Sequence, residues 1–189
     1  MKIAFISDIH ANIGALERSI EKIDDYNVDK IYCLGDLIGY GDYPNEVISL
    51  IIERGIISIR GNHEEIFLAG NLLEKYNFPF TKKIITQKSL DFLNKLDKYI
   101  ILDEYNTILS HAVPYSDDVY LYANSDFSIL DDINYKYIFM GHTHYPMMMS
   151  YYDKKILNPG SIGQPRDKNS KSSFLICDFE SEVFEFIRI

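Results

Sequence analysis

Short apolar runs and amphipathic stretches alternate along the first third of the chain. Lys2–Ser7, Lys30–Leu34 and Ile56–Ile59 have the length and content of buried strands. Between them Leu16, Ile20 and Ile23, and then Val47, Ile48, Ile51 and Ile52, recur at three- and four-residue spacing, which predicts two helices. Asn12 is a candidate N-cap for the first, which runs to about Asp24. Strand, polar tip and helix in repeated order predict an α/β fold with a mainly parallel first half. Residues 65–97 keep a helical pattern with a break near Asn77-Phe78-Pro79. The second half is strand-rich and partly antiparallel. Its strands are Ile100–Leu102, Thr107–Leu109, Tyr137–Met140, Met147–Tyr152, Lys155–Leu157, Ser173–Asp178 and Val183–Ile189, with a short helix over Ile129–Ile133.

At 189 residues, 47% apolar and 25% charged, the chain is expected to form one globular domain over residues 1–189. It has no apolar run of about 18 residues, so no membrane span is expected. The apolar start is broken by Ser7 and Asp8, and reads as a first strand instead of a targeting segment; a cytoplasmic location is the default expectation. Cys33 and Cys177 each sit within an apolar run and read as small buried residues, not a disulfide framework. A net charge of −9 argues against general nucleic-acid binding. A phosphate-bearing substrate stays compatible with it, because bound divalent cations reverse the field locally.

The polar tips carry the chemistry. Asp8 and His10 follow the first strand, Asp36 the second, Asn62 and His63 the third, His111 the strand over Thr107–Leu109, and His142 and His144 the run Tyr137–Met140. All five histidines of the chain therefore lie at or just past strand ends, where the tips of one sheet converge. Residues i and i+2 of an extended chain face one side, and a metal ion is the commonest reason for pairing His142 with His144; alone the pair is weak evidence, and the other strand tips supply its partners. The imidazole, carboxylate and amide set, without thiolate, suits Mn, Fe, Co, Ni, Zn or Mg. It is too large for one four-coordinate ion, and two ions sharing a carboxylate fit it better, an arrangement suited to displacement at phosphorus.

In order, Asp8-x-His10, Gly35-Asp36, Gly61-Asn62-His63-Glu64, Ser110-His111 and Gly141-His142-x-His144 resemble the five-block signature of the calcineurin-like metallophosphoesterase superfamily. Asn158-Pro159-Gly160-Ser161 with Gln164-Pro165-Arg166 further resembles its small bacterial and archaeal phosphodiesterase branch. The resemblance implies a four-layer αββα sandwich, two mixed sheets back to back with helices outside. It implies two divalent metal ions, with Mn the expectation carried forward over Ni, Fe, Zn or Mg. Asp8, His10 and His144 would hold the first ion, Asn62, His111 and His142 the second, and Asp36 would bridge them. His63 would be catalytic, protonating the leaving oxygen or stabilising phosphoryl charge while a metal-bridging hydroxide attacks. The expected substrate is a small phosphodiester. A phosphomonoester substrate and a non-catalytic retromer-type scaffold are the alternatives, the latter disfavoured because His63 and the whole ligand set are present. A homo-oligomer is compatible with the sequence.

Two positions depart from the family's protein phosphatases, which carry Gly-Asp-x-x-Asp-Arg-Gly. Here Gly39 stands where an Asp orients the catalytic histidine, and Tyr40 where an Arg binds phosphate. This argues against a protein phosphatase, and leaves Arg60 and Arg166 as candidate substitutes. Ala11 stands where Gly is frequent. Residues 113–126 read as a surface loop whose Tyr115, Tyr120 and Tyr122 are expected to be partly buried scaffold residues, with a cleft-lining role as the alternative.

Overall fold

The computed structural model describes residues 1–116 and 118–189; Asp117, inside the loop expected over 113–126, lies outside the described residues. Two five-stranded sheets pack face to face. The first has the order β10 (Val183–Arg188), β9 (Ser173–Asp178), β1 (Lys2–Ile6), β2 (Lys30–Cys33) and β3 (Ile57–Ser58). The second has the order β4 (Tyr99–Leu102), β5 (Thr107–Ser110), β6 (Tyr137–Phe139), β8 (Lys154–Asn158) and β7 (Met147–Tyr151). Both are mixed: β1, β2 and β3 are parallel, as are β5, β6 and β8, while the outer pairs are antiparallel.

Strand alternation explains the layering. Ile3 and Phe5 of β1 enter the core between the sheets, where the Phe5 and Phe139 rings stack at 4.0 Å; Ala4 and Ile6 enter the core under the helices. Each fully buried aromatic or aliphatic side chain in such a core contributes roughly 1.5–3 kcal/mol. All five α-helices contribute to the core on the outer face of the first sheet: α1 (Ile13–Asp24), α2 (Pro44–Glu53), α3 (Asn62–Leu68), α4 (Phe78–Ile84) and α5 (Gln87–Asn94). The second sheet is covered instead by Val113, Leu121, Leu130 and Ile133, from loops and one 3-10 turn over Phe127–Leu130. Asn12 caps α1, accepting from the Ala15 N–H at 3.1 Å. Cys33 and Cys177 are free and buried. Among the described residues, no helix is long and apolar enough to cross a membrane.

Three local expectations change. Asn62, His63 and Glu64 are not a loop past a strand but the first turn of α3, because Gly61 takes the N-cap position and Glu64 reaches back to its N–H at 2.8 Å. Phe78-Pro79 does not break a helix but starts one; proline is tolerated in a first turn, and the break is the left-handed Asn77 before it. The short helix expected over Ile129–Ile133 is the 3-10 turn Phe127–Leu130.

Candidate metal centre

Backbone hydrogen bonds bind the strand tips into one platform. Asp8 N donates to Gly35 O and His10 N to Asp36 O, joining the ends of β1 and β2. Gly141 N donates to His111 O, joining β6 to β5, and the 159–166 loop is tied back by Ile162 N to Ser7 O and Gly163 N to Asp8 O. The tips are not extended chain. Asp8, His10, Asp36, His142 and His144 all have left-handed φ values between 51° and 67°, so extended i, i+2 geometry is not what aims the histidines. Such conformations cost about 1–3 kcal/mol each and concentrate at functional sites. Ala11 shares them at φ 53, the region a glycine enters without strain.

Every expected site residue is buried here: Asp8, His10, Asp36, Asn62, His63, His111, His142 and His144. Asp36 is the hub. Its Oδ1 accepts the His63 N–H at the start of α3, at 2.9 Å, which requires a glycine at 61 because a Cβ there would lie 2.2 Å from that oxygen. Its Oδ2 is left facing His111 Nε2 at 3.3 Å, His10 Nε2 at 3.8 Å and His63 Nε2 at 3.9 Å. Asp8 divides similarly: Oδ2 accepts the His142 N–H at 3.2 Å, while Oδ1 is buried without a donor, 3.3 Å from His144 Nε2.

The ring nitrogens show what is missing. His10 Nδ1 faces Ile38 O at 3.2 Å and His144 Nδ1 faces Gln164 O at 2.6 Å, so each Nδ1 must carry the proton. Their Nε2 atoms nevertheless face each other at 3.1 Å, lone pair against lone pair, beside the donorless Asp8 Oδ1. Burial holds His10 well below the ordinary imidazole range, which disfavours protonating His10 as the relief. A cation relieves it. One ligand atom from each of Asp8, His10, Asp36 and His144 lies within 4.8 Å of the others, a set that fits a divalent ion with nitrogen and oxygen ligands.

Across Asp36 stand His111 and His142. His111 Nδ1 faces Leu34 O at 2.7 Å, and its Nε2 lies 3.0 Å from Asn62 Oδ1 and 3.2 Å from His142 Nδ1. Burial opposes charge on His111, but Asp36 and Asp8 outweigh it and push the imidazole up to about 10. Burial and neighbouring His111 push His142 down to about 3. Burial opposes charge on Asp36 also, yet the surrounding imidazoles hold its carboxyl well below the usual range. In this half the His111 imidazolium faces Asp36 Oδ2, Asn62 Oδ1 and His142 Nδ1, so a proton occupies the position between these acceptors. His144 points at His10 and Asp8, and His142 at His111, so the pair that looked like one site in the sequence is divided.

His63 is held differently. Its ring lies among those of Tyr76 (4.3 Å), His10 (4.6 Å), Tyr40 (4.9 Å) and Phe78 (5.5 Å), and its buried Nδ1 has no hydrogen-bond partner. A Cβ at position 39 would lie 2.1 Å from that nitrogen. Packing, not a carboxylate, orients this imidazole, and burial lowers its pKa.

Glu64 carries a role the sequence reading did not assign. Fully buried, it accepts from Asp36 N, Leu37 N, Ile38 N and Gly61 N at 2.8–3.1 Å, fastening the β2 tip to α3. Burial and repulsion from Asp36 push its carboxyl up to about 7 while those N–H groups oppose the shift. The capping-box spacing Gly61–Glu64 was the available signal. Of the candidate arginines, Arg60 donates from Nη2 to Leu93 O and Asn94 O at the end of α5 and also lines the cleft beside Asn62 and His111. Arg166 reaches Tyr40 Oη at 3.3 Å, at the site. The loop tyrosines are exposed rather than scaffold, and Tyr120 stacks on His142 at 3.8 Å. A cleft of about 330 Å³ opens beside His10, Tyr40 and Gln164, and one of about 220 Å³ beside Asn62 and His111.

Comparison with known proteins identifies the family. The family model described as the calcineurin-like phosphoesterase superfamily domain matches residues 1–182. An uncharacterized protein of Methanocaldococcus jannaschii is 36% identical over 214 residues, covering 99% of this chain and 86% of that protein. The phosphodiesterase YfcE of Escherichia coli is 24% identical over 176 residues, 91% of this chain and 85% of that one. The crystal structure of a metallophosphoesterase from Sphaerobacter thermophilus superposes with a TM-score of 0.84 at 26% identity, covering 100% of this chain and 88% of that chain.

Proposed function

The chain belongs to the calcineurin-like phosphoesterase superfamily and is a metal-dependent phosphoesterase, and we propose that it hydrolyses a small phosphodiester with two divalent cations, manganese being the expected metal. The observation that carries this is the pair of Nε2 lone pairs of His10 and His144, opposed at 3.1 Å beside an unpartnered carboxylate oxygen. Asp8, His10 and His144 would hold the first ion and Asn62, His111 and His142 the second, with Asp36 available to both. Bound there, divalent cations supply Lewis acidity, which brings the pKa of water toward neutrality and offsets phosphoryl charge.

The chain's own groups do the rest. The carbonyls of Ile38 and Gln164 fix the tautomers of His10 and His144 with Nε2 as the lone pair, and Leu34 O does the same for His111 once its second proton has left. His63 presents Nε2 toward Asp36 Oδ2 and donates from it to the phosphoryl or leaving oxygen; the aromatic cage holds the donor in line. Two clefts, one on each side of the cluster, favour a diester over a monoester, since a diester carries two substituents to place. The name of the relative YfcE points the same way.

The test is hydrolysis of bis(p-nitrophenyl) phosphate against p-nitrophenyl phosphate by protein loaded with manganese. A higher kcat/KM on the diester is expected. Preference for the monoester would replace this reading with a phosphomonoesterase, and no hydrolysis of either by metal-replete protein would return the scaffold alternative.

A further inference from the structure

Arg166 is an exposed arginine with no ion pair to a carboxylate among the described residues, in a chain of net charge −9. Its partners are neutral: Nη2 donates to Tyr40 Oη at 3.3 Å and to Gln164 Oε1 at 3.1 Å. Among the described residues no acidic group lies within ion-pair distance of it, and the adjacent Asp167 is taken by Arg188. Arg54 by contrast is paired with Asp24, and Arg60 donates to helix-end carbonyls.

Its placement is set by the cluster itself. The backbone carbonyl of Gln164 orients His144, and the side chain of the same residue holds Arg166. Tyr40, the other anchor, packs edge-on to His10 at 4.8 Å and tilted against His63 at 4.9 Å. On the far side Arg166 interacts with the Tyr120 hydroxyl, and the Tyr120 ring lies on His142 at 3.8 Å. The guanidinium thus stands between a tyrosine seated over His10 and His63 and a tyrosine seated over His142, and both of its anchors, Tyr40 and Gln164, line the cleft beside His10.

We infer that Arg166 is the phosphate-binding residue of this site, its guanidinium fork taking the non-bridging phosphoryl oxygens, with Tyr40 and Gln164 as its positioning residues. This rests on the phosphoester reading above. A guanidinium held on neutral acceptors keeps its full charge for an incoming anion, and its fork matches two phosphoryl oxygens. Exposure at the mouth lets the group meet substrate without strain on the core.

The test is calorimetric titration of the manganese-loaded full chain with inorganic phosphate, for wild type, Arg166→Ala, Arg166→Lys and Tyr40→Phe. Metal content and melting temperature of Arg166→Ala should equal wild type, because the side chain is exposed. Phosphate Kd should weaken roughly 10- to 100-fold, the range for loss of a charge-assisted hydrogen bond. Arg166→Lys should recover part of that loss, since an ammonium lacks the fork. Tyr40→Phe, which removes only the hydroxyl, should weaken phosphate binding with metal content unchanged. Wild-type phosphate affinity in Arg166→Ala would overturn the assignment, as would a wild type that binds no phosphate. Phosphate binding lost in Arg166→Ala, in a protein that hydrolyses no ester, would keep the arginine and remove the catalytic reading.

Discussion

Gly39→Ala isolates the orientation of His63 from everything else in the site. The added Cβ would lie 2.1 Å from His63 Nδ1, more than 1 Å short of ordinary contact at 3.4 Å or beyond, and 2.9 Å from its Cε1, also too close. The ring cannot retreat sideways, because Tyr76, Tyr40 and Phe78 wall it in, and the Phe78 ring is itself 3.1 Å from the new carbon. A displacement of about 1 Å of a group that acts on the reacting atoms costs on the order of 10²-fold in rate. The substitution also strains the backbone, since Gly39 has φ +88. An L-residue there costs roughly 1–2 kcal/mol, or a few degrees of melting temperature. Gly55 separates the two effects: its φ is +61, yet a Cβ there meets nothing within 4 Å. Gly55→Ala should therefore lose similar stability and no activity. The assay is kcat on bis(p-nitrophenyl) phosphate, with metal content by elemental analysis and melting by scanning calorimetry. Gly39→Ala should fall about 100-fold in kcat with metal retained. Wild-type kcat in Gly39→Ala, or an equal loss in Gly55→Ala, would refute the steric account of His63.

Glu64→Gln keeps one carbonyl oxygen and turns an NH₂ toward two of the four backbone donors, orphaning them. At about 1–3 kcal/mol for each buried donor, the loss is roughly 2–6 kcal/mol, read as a drop in urea midpoint; a change below about 0.5 kcal/mol would show that the carboxylate is not the fastening. His111, pushed up to about 10, is protonated at pH 7 in the metal-free protein, and its proton must leave for the nitrogen to serve a metal. Affinity for the second ion should thus rise as pH rises from 7, by up to about tenfold per pH unit, with close to one proton released in calorimetry across buffers of different ionisation heat; pH-independent binding would contradict it. His63→Ala should keep both ions and lose turnover, whereas Asp36→Ala should lose the ions as well; elemental analysis showing His63→Ala empty would make His63 a ligand.

The sequence exposed this buried cluster because a chemical periodicity coincided with a structural one. β1, β2, β5 and β6 each end in a polar residue able to hold a metal, and parallel neighbours necessarily bring their ends together. The aromatic cage of His63 had no such signature. Tyr40 comes from the loop after β2, Tyr76 from a 3-10 turn and Phe78 from the first turn of α4, and the last two fall in a stretch whose apolar pattern reads as one interrupted helix. Glu64 was hidden for a related reason: its four donors lie 3–28 residues away, on the far side of a turn, and only the folded chain aligns them. The division of His142 from His144 could be inferred from the number of ligands. The means could not, because left-handed backbone at two histidines is a property of the loop that β6 and the 159–166 segment enclose. Arg60 and Arg166 were equivalent by composition and are separated by what each touches, helix-end carbonyls in one case and the tyrosines of the site in the other.

The central claim is two cations around Asp36, each with its own histidine from the 141–144 loop. Anomalous-difference crystallography of the manganese-loaded protein tests it directly. Two peaks are expected, one against Asp8, His10 and His144 and the other against Asn62, His111 and His142, with Asp36 touching both. A single peak ligated by both His142 and His144 would contradict the account.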